Sequence, residues 1–230
     1  MKRAFVMAAL TLSAAVFTGA PRAQTTEEPQ YLRLPHRFQI FLEGGGALPT
    51  KPSIWNDRWN SAFAFGMGAG VSIFPWLEVN GGFNTMSFSL NTLQAKSVLG
   101  YQGIKEVEGG TVSTTQFYGS ARFIAAPRLR TNAFAEAMVG YYKTSGEDVV
   151  IEDELVNTME DVSGLSGAGA VGIQYAMADA WTAYAKYTYT VNFSDSFAPG
   201  DLLQPITGSR DEPEGNQVIQ TLGVGIMVRF

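Results

Sequence analysis

Apolar side chains return at every second position through most of this chain. In the last segment, 218–230, the even positions are Val218, Gln220, Leu222, Val224, Ile226, Val228 and Phe230. The odd positions are Ile219, Thr221, Gly223, Gly225, Met227 and Arg229. A period of two puts one set on each face of a strand and is incompatible with a helix. The same alternation places Phe38, Ile40 and Leu42 opposite Gln39, Phe41 and Glu43, and Phe63, Phe65, Met67, Ala69, Val71 and Ile73 opposite a face rich in glycine. It recurs around Val79, Phe117, Val139, Val171 and Tyr187. Eight strands are predicted, the sixth least sharply because it is dense in glycine.

The connections carry a second, independent signal. Short ones fall at 74–76, 125–131 and 176–180, and long ones at 48–60, 89–111, 143–163 and 192–216. Long and short alternate strictly. In an even-stranded meander all short turns then lie on one rim and all long loops on the other, as in outer-membrane barrels. A soluble sandwich has no reason to produce that asymmetry. The predicted fold is all-β, an eight-stranded antiparallel up-and-down transmembrane β-barrel over 37–230. Residues 149–156 could extend a hairpin beyond the membrane, and a ten-stranded barrel is the alternative.

The start of the chain reads as a targeting signal. Lys2 and Arg3 precede an apolar run from Ala4 to Phe17, followed by small residues up to Ala23. That is the layout of a secretory signal peptide, too short to span a bilayer as a helix. Residues 1–23 are read as the signal and 24–36 as a short periplasmic extension. Cleavage after Ala23 removes Lys2, Arg3 and Arg22 and no acid, leaving 13 basic against 21 acidic residues, a net charge of −8. Such acidity argues against nucleic acid as a partner. With no Cys and one His in 230 residues, disulfides, thiol catalysis and a two-His metal site are excluded.

Which face meets lipid follows from size. The face opposite the large apolar residues is mostly Gly, Ala, Ser, Thr and Asn with scattered charges, which suits the narrow interior of an eight-stranded barrel. Large apolar groups suit hydrocarbon, where a closed ladder pairs every backbone polar group. Aromatics gather near strand ends, with Phe38, Phe74, Trp76, Trp181 and Phe230 on the turn side and Phe83, Tyr141, Tyr189 and Phe193 toward the loops. That distribution matches two interfacial girdles.

With its signal segment, even strand count and final GVGIMVRF, the chain resembles the small outer-membrane β-barrel family of OmpA/OmpX-like barrels. The resemblance covers roughly 37–230, and the segment Phe74-Pro75-Trp76-Leu77 is similar to a family periplasmic turn. It implies a location in the outer membrane of a Gram-negative bacterium. It also implies that Val224, Ile226, Val228 and Phe230 form the signal read by the barrel-assembly machinery. No OmpA-type peptidoglycan-binding domain is expected after the last strand.

Inward parity collects Glu43, Glu78 and Glu136 against Arg122, Lys186 and Arg229. Glu78 and Arg122 flank short turns on adjacent strands, and Glu136 lies across the next hairpin from Arg122. Buried charges are costly unless paired, so these six are expected to form a lumen charge network. A plug suits the narrow size class, and a polar path or gated salt bridge is the alternative. The one histidine, His36, precedes the first strand and reads as a linker residue, so no enzyme activity is expected. No metal or other cofactor is implied. The acids Glu147, Asp148, Glu152, Asp153, Glu154, Glu160 and Asp161, with Asp195, Asp201, Asp211, Glu212 and Glu214, make two loops acidic without any EF-hand spacing. Gly44-Gly45-Gly46 precedes no helix and is not a phosphate loop; it is read as the end of a strand, allowing close packing or a bend at the rim. The expected role is structural or surface-interactive, through the acidic extracellular loops. A narrow porin-like channel for small solutes is the second reading. Expected partners are outer-membrane lipid, lipopolysaccharide and the assembly machinery, with the barrel itself a monomer.

Overall fold

The computed structural model describes residues 37–91, 107–151, 154–157, 161–194 and 215–230. The predicted signal, the periplasmic extension and His36 lie outside the described residues, as do Glu152, Asp153, Glu160 and the acids from Asp195 to Glu214. Period-two segments become β1 (Phe38–Lys51), β2 (Ala62–Phe74), β3 (Leu77–Phe88), β5 (Val112–Ile124), β6 (Thr131–Gly146), β9 (Val162–Ala176), β10 (Trp181–Asn192) and β11 (Gln217–Arg229). These eight close into an antiparallel barrel in the order β1-β11-β10-β9-β6-β5-β3-β2. Closure rests on β1 pairing β11 from Gln39↔Arg229 inward to Gly46↔Leu222 and onward. The ladder therefore has no open edge within the barrel, which is the condition for strands to cross hydrocarbon.

Outward parity is apolar around the circumference. Phe38, Phe63, Phe117, Val139, Leu165, Val171, Val224 and Phe230 are all exposed, at 60–71% of their surface. An apolar surface of this extent is not the outer face of a water-soluble monomer. On the turn rim, Phe74, Trp76 and Phe123 stack in series, with ring centroids 5.3 and 6.2 Å apart.

Several strands run further toward the loop side than the alternation suggests. β1 continues to Lys51 and β6 to Gly146. The glycine run 44–46 consequently lies inside β1 and does not end it, which corrects the expectation of a rim bend. Its role is close approach: a Cβ on Gly45 would run into the Leu222 carbonyl and the Gly223 backbone across the closing seam.

The extra segment near 149–156 does not enlarge the barrel. β4 (Val107–Gly109), β7 (Val149–Ile151) and β8 (Glu154–Asn157) form a separate sheet in the order β4-β7-β8. The β5–β6 ladder continues into it through Glu147 N–H to Thr111 O (2.8 Å) and Gly110 N–H to Asp148 O (3.2 Å). At Gly109 and Gly110 the φ values are +76° and +72°, a left-handed pair that turns the strand out of the barrel wall and that side-chain-bearing residues resist. A short helix α1 (Ser53–Arg58) sits in the β1–β2 connection.

Gly45→Val is expected to block seam closure, abolishing the mobility difference between unboiled and boiled protein on a gel. Gly169→Val is expected to preserve it, because a Cβ there points outward with no atom within 4 Å.

Candidate functional site: a filled lumen

The barrel interior is built in layers. Register alone aligns three of the inward charges, because Glu78 pairs with Arg122 across β3–β5 and Arg122 pairs with Glu136 across β5–β6. Arg122 donates from Nε (3.2 Å) and Nη2 (2.9 Å) to Glu136 Oε2, while Ser120 Oγ donates to Glu136 Oε1 at 2.6 Å. The other side of the guanidinium, Nη1, lies 3.8 Å from Glu78 Oε2. Arg229, from β11 on the far side of the sequence, donates to Glu78 Oε1 at 2.8 Å and also to Thr182. Lys186 Nζ lies 2.8 Å from Glu43 Oε2, and the Tyr184 hydroxyl donates to the same oxygen at 3.0 Å. The structure thus joins Glu136, Arg122, Glu78 and Arg229 in one chain of contacts and sets Glu43 with Lys186 in a second. Glu78 and Arg122 have no exposed surface.

Charges of equal number and opposite sign answer the cost of burying them. An ion moved from water into such a site costs several kcal/mol unless a partner and hydrogen bonds compensate. Aromatic faces add to the compensation: the Arg122 guanidinium lies 4.5 Å from the Phe134 centroid and 5.1 Å from that of Tyr184.

The interior also differs from the expected small and polar lining. Phe41, Tyr118, Phe134, Met138, Tyr184 and Met227 are inward and packed together. Three of them, Phe41, Phe134 and Tyr184, fit because glycines sit opposite them. A Cβ at Gly172 would strike the Phe134 ring, at Gly225 the Tyr184 ring, and at Gly68 the Phe41 ring. Each of these three rings therefore lies over a bare patch of the neighbouring strand. Inward glycines, legible in the sequence as "small", are the sockets of inward aromatics.

Toward the loops a polar layer follows. Gln116 Nε2 donates to Ser166 Oγ (2.6 Å), Thr144 to Gln217 Oε1 (3.2 Å) and Asn192 Nδ2 to the same oxygen (3.1 Å). Between this layer and the charges lies a cavity of about 20 Å³ near Lys186, Thr188 and Gly223, room for roughly one water.

The loop-side mouth is closed by residues that periodicity does not reveal. Trp55 and Trp59, from α1 and its C-terminal cap, are buried with Phe88, Leu90, Val112, Tyr142, Val149 and Ile219. The Trp55 ring meets Phe88 edge-on at 4.9 Å, and Trp59 Nε1 donates to Gly110 O at 2.9 Å. Backbone bonds from Asn60 N–H to Ser89 O (2.9 Å) and Asn91 N–H to Arg58 O (2.7 Å) tie this lid to the end of β3. The only hint in the sequence is a pair of tryptophans, Trp55 and Trp59, in a connection where solvated residues are the norm.

Outside the belt, Lys143 lies 2.6 Å from Asp161, both more than half exposed. The hydrogen bond and charge of Asp161 hold its ammonium above the ordinary lysine range. Exposed pairs of this kind contribute little to stability. Among the described residues no cluster of metal-ligating side chains occurs.

A closed ladder, an apolar belt and a filled interior together define an eight-stranded transmembrane β-barrel. The fold is shared with Neisserial surface protein A, matched at TM-score 0.52 and 11% identity over 84% of this chain and 97% of that one. Ail, the attachment invasion locus protein of Yersinia pestis, is matched at 0.49 and 12% over 86% and 100%. OprG from Pseudomonas aeruginosa is matched at 0.46 and 11% over 85% and 97%. No family model and no curated protein matches the sequence. The architecture is that of the small outer-membrane barrels, and the apolar belt is the surface with which such a barrel sits in its membrane.

Glu136→Gln removes the charge that Arg122 contacts most closely. Its expected cost is about 3 kcal/mol, as for one partner lost from a buried pair, read as a lowered urea midpoint of refolded protein in detergent. Lys143→Ala is expected to leave that midpoint unchanged.

Proposed function

We propose that this chain is an integral barrel of the Gram-negative outer membrane whose interior is a structural plug and whose working surface is its loop side. The single observation that carries the reading is the double closure of the lumen, by the charge-and-aromatic layer and by the tryptophan lid. The six inward charges serve as the rigid filling of the barrel. Short turns face the periplasm and long loops the exterior, following the rim asymmetry of such barrels.

Beyond the membrane the chain presents the β4-β7-β8 sheet, which carries Glu108, and the described loop-side acids outside it include Glu147, Asp148 and Asp161. An acidic surface of this kind repels anionic polymers and favours cationic or cation-bridged partners. The role is therefore structural and surface-interactive, with lipid and lipopolysaccharide around a monomeric barrel. Val224, Ile226, Val228 and Phe230 serve as the signal for the assembly machinery. They alternate outward on β11, where a reader of the strand would meet them before the barrel closes.

Planar-bilayer recording tests this role. Purified wild-type protein is expected to insert without unitary currents. Reproducible single-channel steps would favour the narrow porin-like reading and overturn the plug. Trp55→Ala combined with Trp59→Ala is expected to stay silent as well, since the charged layer remains in place.

A further inference from the structure

The outer surface of the barrel is not uniformly convex. Along β10 the outward residues Ala183 and Ala185 are small, whereas Val224 and Ile226 rise beside them from β11, and Ile173 and Tyr175 from β9. The result is a slot floored by alanine and walled by branched and aromatic side chains. It belongs to an apolar groove of about 650 Å³ that extends across β1 to Phe65. At the turn end the groove reaches Tyr175 and Thr131, and the Arg130 guanidinium lies 5.1 Å from the Tyr175 centroid. Arg130 is fixed there by its bonds to the Ala176 carbonyl (Nε, 2.9 Å) and the Met177 carbonyl (Nη2, 3.1 Å).

We propose that this groove is a phospholipid site, with an acyl chain lying along Ala183 and Ala185 and the phosphate at Arg130. The inference rests on the membrane reading above and goes beyond it by naming a ligand and a place. Two features select a phospholipid over a bare alkyl chain or a second barrel. First, the apolar slot ends at a held guanidinium, the side chain best matched to phosphate oxygens. Second, the described turn rim carries Arg37, Arg128 and Arg130 against Asp179, a positive collar at the height of the headgroups of the periplasmic leaflet. A partner barrel would bring the same positive collar to this rim, and the like charges would oppose it.

The test is native mass spectrometry of the barrel in detergent, titrated with dioleoyl phosphatidylglycerol. Wild-type protein should retain one lipid per barrel. Ala185→Phe fills the slot and should remove that adduct, while Ala121→Phe, an outward alanine on β5, should keep it. Arg130→Gln should weaken binding by about tenfold, the loss of one charge-assisted contact. The gel mobility shift of each variant, measured alongside, verifies that the barrel has formed. Equal retention by Ala185→Phe and Ala121→Phe overturns the site. A loss in Ala185→Phe with none in Arg130→Gln shows an alkyl slot without phosphate recognition and overturns the phospholipid assignment. Dimers that disappear in Ala185→Phe, in place of lipid adducts, identify a second copy as the occupant and overturn it too. A barrel that inserts into vesicles but retains no lipid refutes this inference alone. Wild-type protein that stays soluble without detergent refutes the membrane reading itself.

Discussion

Everything in this molecule follows from closing eight alternating strands on themselves. Closure pairs the backbone and forces each strand to show one face to hydrocarbon and the other to a tube too narrow for water to fill comfortably. The outer face can be almost any large apolar residue. The inner face has no such freedom. Every inward side chain must fit beside the others at its level, and every inward charge must find its opposite nearby.

Two devices meet that constraint. Aromatic rings are seated over glycines of the neighbouring strand, Phe134 over Gly172 and Tyr184 over Gly225, so volume is redistributed without spreading the strands. Charges are seated in alternating sign, and Arg122 is held between Glu78, Glu136 and two aromatic faces. Sealing at the loop side is separate in origin, since it comes from a short helix and not from the barrel strands. The lumen is thus filled at two levels with unrelated chemistry.

The two rims are chemically unlike. The described turn rim is basic and aromatic, and the described loop-side residues beyond the belt are acidic and include a small sheet of their own. With the acyl-sized groove opening toward the basic rim, polarity along the barrel axis is matched by polarity in what each end can hold.

Alternation is local, so the strands, their inward and outward faces and the girdle aromatics could be read directly from neighbouring residues. Arg122 and Glu136 could be aligned because the short turn between their strands fixes the register of that hairpin, and Glu78 because, like Arg122, it lies a few residues from a short turn on the same rim. The contacts of Arg229 with Glu78 and of Lys186 with Glu43 are of another kind. They join residues 151 and 143 positions apart and exist only because the first and last strands meet. The tryptophan lid has no periodicity to announce it, and the extent of β1 past the glycine run depends on what β11 offers across the seam. The outer groove depends on three strands placing small beside large. Periodicity reports which way a side chain points, because that is set by its own backbone. What it touches is set by closure, which brings together residues that no local rule relates.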